Sequence, residues 1–150
     1  MNNKQKKSNL LIVLQLLLGI GAVFGGAALI IDPSGELIGM PLLLLENSFF
    51  NNYLIPGLLL FTALGVIPIT IASGLLIRWN WKLAEKLNVF RDKHWSWTFS
   101  LYSGFQLIIW ITIQVYIIDA FSIIHLIYIT LGLLIQIVTL LPNVQEKYKR

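Results

Sequence analysis

The chain has no cysteine, so disulfide frameworks, thiolate catalysis and cysteine metal sites are excluded from the outset. Charge is the next scarcity. Only 12% of the 150 residues are Asp, Glu, Lys or Arg, against 57% hydrophobic residues. A soluble domain of this length has too little interior to hide so much apolar surface. Also missing are a P-loop, a Gly-rich dinucleotide fingerprint, H-E-x-x-H, G-x-S-x-G and an N-x-S/T sequon. With two histidines, His94 and His125, far apart in sequence, a metal site has little to build on. No cofactor is expected.

What is present is a set of long uncharged runs. Residues 10–31 follow a short tail carrying Lys4, Lys6 and Lys7. A helix rising about 1.5 Å per residue needs about 20 residues to cross roughly 30 Å of hydrocarbon. This run is long enough, and longer than the apolar core of a usual signal peptide. Residues 54–77, 97–118 and 123–141 are three more such runs. The fold class expected is therefore an all-α membrane protein, a four-transmembrane-helix bundle forming one domain over residues 1–150. Pro56 falls in the first turn of the second span, where a missing N–H is harmless. Pro68 lies in its interior, predicting a kink that frees the carbonyl near Leu64. Asp119 to Ser122 alone join the third and fourth spans, which makes them antiparallel neighbours.

The charges order the molecule. Lys4, Lys6 and Lys7 precede the first span, and Arg78, Lys82, Lys86, Arg91 and Lys93 lie between the second and third. Lys147, Lys149 and Arg150 follow the fourth, completing all 11 basic residues on one side. The other side carries Asp32, Glu36, Glu46 and Asp119 and no base. The positive-inside rule then predicts a multi-pass protein of the bacterial cell membrane with both termini cytoplasmic. Basic residues that serve topology call for no nucleic acid; anionic lipid headgroups on the cytoplasmic side are the expected contact. The loop 78–96 sets Trp79, Leu83, Leu87 and Phe90 on one helical arc, which suits an interfacial helix with snorkelling lysines. A plain extension of the second span with an aromatic belt of Trp79, Trp81, Trp95 and Trp97 fits equally.

Polar and small residues stripe the spans. In the first, Gln15, Gly19, Ala22 and Gly26 share a face, and Gly21-x-x-x-Gly25 overlaps it, predicting close helix packing. The third shows Tyr102, Gln106, Trp110 and Gln114 at intervals of four, and the fourth His125, Tyr128, Gly132 and Gln136 on one face. Amides facing lipid would go unsatisfied, so both stripes should point inward. They serve either interhelical hydrogen bonds or a polar-lined cavity for a small lipid, quinone or other amphiphile. His125 stands about one turn inside the outer boundary, near Asp119, and could share the outer mouth with Asp32 or Glu36, an arrangement able to bind a metal or relay a proton. The candidate ligand-binding residues are thus Asp32, Glu36, Gln106, Trp110, Gln114, Asp119 and His125.

Residues 32–53, the segment that should cover the outer end, are more specific than topology requires. Asp32-Pro33-Ser34-Gly35 is a turn signature. Pro41 is placed to start a helix, and Leu42, Leu45 and Phe49 recur at helical spacing, predicting a short amphipathic helix over Met40 to Phe50. With D-P-S-G at 32–35, L-I-G-M-P at 37–41, the 45–50 segment and Y-L-I-P-G-L-L-L at 53–60, the chain resembles a widespread group of small bacterial four-span membrane proteins. The resemblance covers the first two spans and their connection. Over the second half it rests on hydropathy and on Trp110-x-x-x-Gln114. It implies topology and supplies no catalytic residues. A looser likeness to four-helix DoxX-type proteins is architectural only.

The leading expectation is a non-enzymatic multi-pass membrane protein, either an accessory or interaction subunit or a binder of a lipid-like hydrophobic ligand, with a membrane-protein partner or a homo-oligomer as its assembly. Uncharged spans and absent catalytic motifs motivate it. The alternative, from another class, is a small membrane enzyme or transporter working at the outer mouth through His125 and nearby carboxylates.

Overall fold

The computed structural model describes the backbone from Asn3 to Arg150 and side chains from Ser8 onward. Among the described residues no strand forms, and four helices are long and apolar enough to cross a membrane: Ser8–Ile31, Leu54–Ile77, Trp95–Ile118 and Ile123–Leu140. The protein is an all-α four-helix bundle. α1 (Asn3–Ile31) contains the first span; the second is built of α2 (Leu54–Leu59), a π-helical segment (Leu60–Val66) and α3 (Ile67–Ile77). α4 (Lys82–Lys86) lies in the following linker. α5 (Trp95–Ile118) and α6 (Ile123–Leu140) are the third and fourth spans, and α7 (Pro142–Lys147) closes the chain.

The spans form a ring in chain order. The first packs against the second and fourth, and the third against the fourth and second. Lipid is as apolar as leucine, so close backbone approach and polar contacts hold such helices together. Gly26 shows how close the approach is: a Cβ there would stand 2.6 Å from Phe61 N and 2.8 Å from Gly57 O. Gly104 and Gly132 cross between the third and fourth spans in the same way, each within 3.1 Å of the other's carbonyl by that measure. Polar contacts add to this. Gln15, fully buried, donates from Nε2 to Ser103 Oγ at 2.7 Å across the centre of the bundle, while Ser103 also approaches Gln15 Oε1 at 3.1 Å and Ser100 O at 2.9 Å.

Pro68 disturbs the second span as expected, but through a different geometry. The turns before it widen into seven π-helical residues, with Ile67 N–H donating to Thr62 O, five residues back. The ring of proline removes one i→i−4 bond and crowds the preceding turn, and the wider coil accommodates both.

At one end, termini and linker fold onto one another. His94 N–H donates to Tyr148 O at 2.8 Å, Arg150 N–H to Asp92 O at 3.0 Å, and Glu85 pairs with Arg150. Buried Tyr148 donates from its hydroxyl to Leu75 O at 2.9 Å and meets Ser8 Oγ at the same distance; Lys147 Nζ reaches that serine at 2.8 Å. The linker helix is only α4, and its arc is broken. Leu83, Leu87 and Phe90 are exposed, while Trp79 turns in to stack on Trp81 and meet Trp95, with ring centroids 5.2–5.5 Å apart. Trp95 and Trp97 are buried, donating to Trp79 O and Thr139 O at 2.8 Å. A lipid-facing belt of all four tryptophans therefore does not form, because two of the indole N–H groups find partners inside.

At the other end, residues 32–53 form a lid. Asp32 carboxylate oxygens accept from Ser34 N at 3.1 Å, Ser34 Oγ at 2.5 Å and Leu37 N at 2.8 Å, and Gly35 N–H closes the turn onto Asp32 O at 3.0 Å. Gly35 takes φ +78°, which glycine permits. The helix expected over Met40 to Phe50 is cut to one 3₁₀ turn, Leu42–Leu45, begun after Pro41. Ser48 stops it. Its hydroxyl donates to Leu45 O at 2.8 Å and accepts from Phe50 N at 3.0 Å, bonds that replace continued helix. Tyr53 pins the lid from below, with N–H to Pro33 O at 2.9 Å and hydroxyl to Pro41 O at 3.2 Å.

Candidate functional site: a cavity beneath the lid

The ring is not closed at the lid end. Contact between the second and third spans is concentrated in α3, toward the terminal end, so α2 and the lid-end part of α5 stand apart. A cavity of about 340 Å³ fills the gap. Its roof is Met40, Leu45, Phe50 and Tyr53 of the lid; its walls come from Leu59 and Leu60 on one side and from Trp110, Gln114 and Ile117 on the other. Gly25 and Leu29 of the first span form the back. Two lining residues, Leu59 at 44% and Ile113 at 50% exposure, also lie on the outer surface of the bundle. They flank a mouth that opens sideways between the spans.

A second cavity of about 210 Å³ lies deeper, toward α6. It shares Gly25, Ile38, Met40, Leu60, Trp110 and Gln114 with the first and adds Gly21, Leu107, His125 and Tyr128 among others. The two are adjoining chambers with a common wall. The overlapping small-residue pairs of the first span divide the work here. Gly26 packs on the second span, whereas Gly21 and Gly25 have only ordinary contacts, Tyr128 Oη and Leu60 Cδ2 each 3.5 Å from where a Cβ would stand, and border the chambers. The π-helical segment contributes Leu60 and Leu64, so the coil that answers Pro68 also shapes this wall.

The chemistry is nearly neutral. Among the described residues no Asp, Glu, Lys or Arg lines either chamber. Beside Tyr53, whose hydroxyl donates to Pro41 O, the polar side chains are the four of Trp110, Gln114, His125 and Tyr128. His125 belongs to a capping box: its Nδ1 accepts from Ser122 N–H at 3.1 Å, fixing the start of α6. An accepting Nδ1 leaves the ring proton on Nε2. The side chains of Trp110, Gln114 and Tyr128 make no hydrogen bond to another described residue, and no free polar atom of these four is sealed inside the protein.

Of the seven candidates from the sequence, the structure brings Trp110, Gln114 and His125 to this site. Gln106, one turn deeper than Trp110, lines neither chamber. Asp32 is occupied in the lid turn, and those hydrogen bonds, the one from Ser34 foremost, hold its carboxyl below the ordinary 3.8. Glu36 is exposed in the short turn that follows, and Asp119 is exposed at the end of α5 with φ +53°. None of these three carboxylates lines the cavity, and no group of three His, Asp or Glu side chains that could hold a metal occurs among the described residues. Sequence reasoning did not single out Gly25, Met40, Tyr53 or Tyr128 as site residues. Tyr128 carried a signal, its place on the polar face of the fourth span. Comparison with known protein families, with curated proteins and with solved structures finds no match to this chain.

Proposed function

We propose that this is a non-enzymatic multi-pass protein of a bacterial cell membrane, oriented with both termini in the cytoplasm, that holds a lipid-like hydrophobic ligand beneath its outer lid. The observation that carries the reading is the chamber of about 340 Å³ roofed by residues 40–53 and opening between the second and third spans. Its size falls in the range of small-molecule sites, and its walls are apolar with a few polar groups, as such sites are. A sideways mouth at lipid depth admits a molecule already dissolved in the bilayer, which then sheds no water on entry. The resemblance to small bacterial four-span proteins supports the topology, and the one-sided distribution of basic residues supports the orientation.

The test is retention and blockage. The full chain extracted in mild detergent is examined by native mass spectrometry, with Gly25→Leu beside it. A leucine at Gly25 points into both chambers from a position with room for its Cβ, and leucine is a better helix former than glycine by about 1 kcal/mol. A lipid-sized adduct on the parent chain that disappears from the folded variant is the expected result. The same adduct on both, or none on either across several extraction detergents, defeats the reading.

A further inference from the structure

We infer that the inner chamber is a headgroup subsite, and that the ligand is an uncharged single-chain amphiphile whose polar end is a carbonyl-type hydrogen-bond acceptor. This rests on the cavity reading above and adds the ligand's chemistry. Four polar side chains from two spans, Trp110 and Gln114 of α5 and His125 and Tyr128 of α6, border one space of about 210 Å³. Three of them make no side-chain hydrogen bond to another described residue, and the fourth spends only Nδ1. Unpaired polar groups at this depth in a membrane protein are costly. A ligand that satisfies them regains that energy.

The donor balance sets the kind of head. Trp110 Nε1–H donates only, His125 presents Nε2–H, Tyr128 offers a hydroxyl and Gln114 an amide with two N–H groups. Donors outnumber acceptors, so an acceptor-rich group fits. Charge sets the rest. Among the described residues neither chamber contains an Arg, Lys, Asp or Glu to balance an ion, and an unpaired buried charge costs several kcal/mol. Phosphate, carboxylate and ammonium heads are disfavoured on that ground. The outer chamber, lined by Leu29, Leu45, Phe50, Leu59 and Ile117, takes the tail, and the shared wall at Met40, Leu60 and Gln114 is where head and tail join.

Such a molecule is a glyceride ester or an alkylated quinone, and the experiment separates these sources. The full chain in phosphatidylcholine nanodiscs is titrated with monolauroylglycerol, a dodecyl-substituted benzoquinone, dodecane and dodecyl phosphate, with bound ligand read by native mass spectrometry. At least one carbonyl probe is expected to bind about tenfold or more tightly than dodecane and dodecyl phosphate, and whichever binds names the source. Tyr128→Phe and Gln114→Leu should each weaken that probe by up to about tenfold, one hydrogen bond's worth, and leave dodecane unchanged. Equal binding of all four probes, preference for dodecyl phosphate, or indifference to both substitutions overturns the headgroup subsite while leaving the cavity reading intact. Failure of every probe to bind overturns both.

Discussion

His94 stands where the linker becomes the third span. Its Nδ1 caps α5 by accepting from Ser96 N–H at 3.4 Å and lies 2.8 Å from Ser96 Oγ. Burial holds the imidazole below its ordinary 6.5, with Glu85 pulling partly the other way. The unfolded chain then binds a proton at a pH where the folded chain does not. Stability contributed here is complete above pH 6.5 and declines as pH falls from there through the lower folded value. Protonation also removes the cap's acceptor. Thermal unfolding of the detergent-solubilised protein should drop in temperature between about pH 7 and pH 5, and His94→Asn, which keeps an acceptor at the cap, should flatten that slope. An identical slope in the variant assigns the decline elsewhere. A further loss below pH 3.8 belongs to Asp92, held down by Lys93, and Asp32, held down by Ser34, and is expected in both proteins. Tyr148 makes a second residue-scale case. Tyr148→Phe leaves Leu75 O and Ser8 Oγ each short of one partner, and should cost about 1–3 kcal/mol in the same assay.

Whole elements meet through particular glycines, and equivalent-looking motifs behave differently. Gly21 and Gly26 both belong to small-residue pairs on the first span. A side chain at Gly26 strikes Phe61 N at 2.6 Å and Gly57 O at 2.8 Å, backbone that cannot swing away. Gly26→Val should therefore separate the first two spans and cost about 1–3 kcal/mol. Gly21→Ala meets nothing nearer than Tyr128 Oη at 3.5 Å and should be neutral or stabilising, since alanine favours helix by about 1 kcal/mol. Comparable losses in both would remove the distinction between a packing glycine and a cavity glycine. The sequence could not make that distinction, because it depends on which helix lies opposite. The same limit applied to the lid. The Asp32 to Gly35 turn was legible, as its chemistry is local. Over Met40 to Phe50 the signals conflicted: leucines at helical spacing favoured a helix, whereas the hydroxyl of Ser48, bonded to Leu45 O and Phe50 N, and the anchor at Tyr53 overruled it. Pro68 announced a break but not its form, a run of π-helix that spreads the distortion over Leu60–Val66.

At the scale of the molecule, the four spans were legible because an uncharged run of about 20 residues has one stable use in a bilayer. The cavity was legible only in its polar part. Trp110, Gln114 and His125 stand out against an apolar span, whereas Leu29, Leu59 or Ile117 in a cavity wall is chemically the same as a leucine or isoleucine facing lipid. Orientation is the remaining whole-molecule property, and the absence of cysteine makes it measurable without background labelling. Basic residues resist translocation, and the 11 of this chain all belong to the tails and the 78–94 linker, which fold together at one end through His94 to Tyr148 and Asp92 to Arg150. Glu46, exposed in the lid, and Asn80, exposed in the linker, report the two ends. In intact cells a membrane-impermeant maleimide should label Glu46→Cys and reach Asn80→Cys only after permeabilisation. The reverse pattern would place the lid in the cytoplasm, and the chamber beneath it would then draw its ligand from the inner leaflet. Adding Lys at Glu36 and Glu46 together attacks the same bias from the other side. Because the lid is a short loop beside two span ends, these charges should produce a fraction of inverted molecules, visible as early labelling of Asn80→Cys in that background. If two added lysines leave the labelling wholly one-sided, the bias of the 11 native charges is strong enough to fix the topology alone.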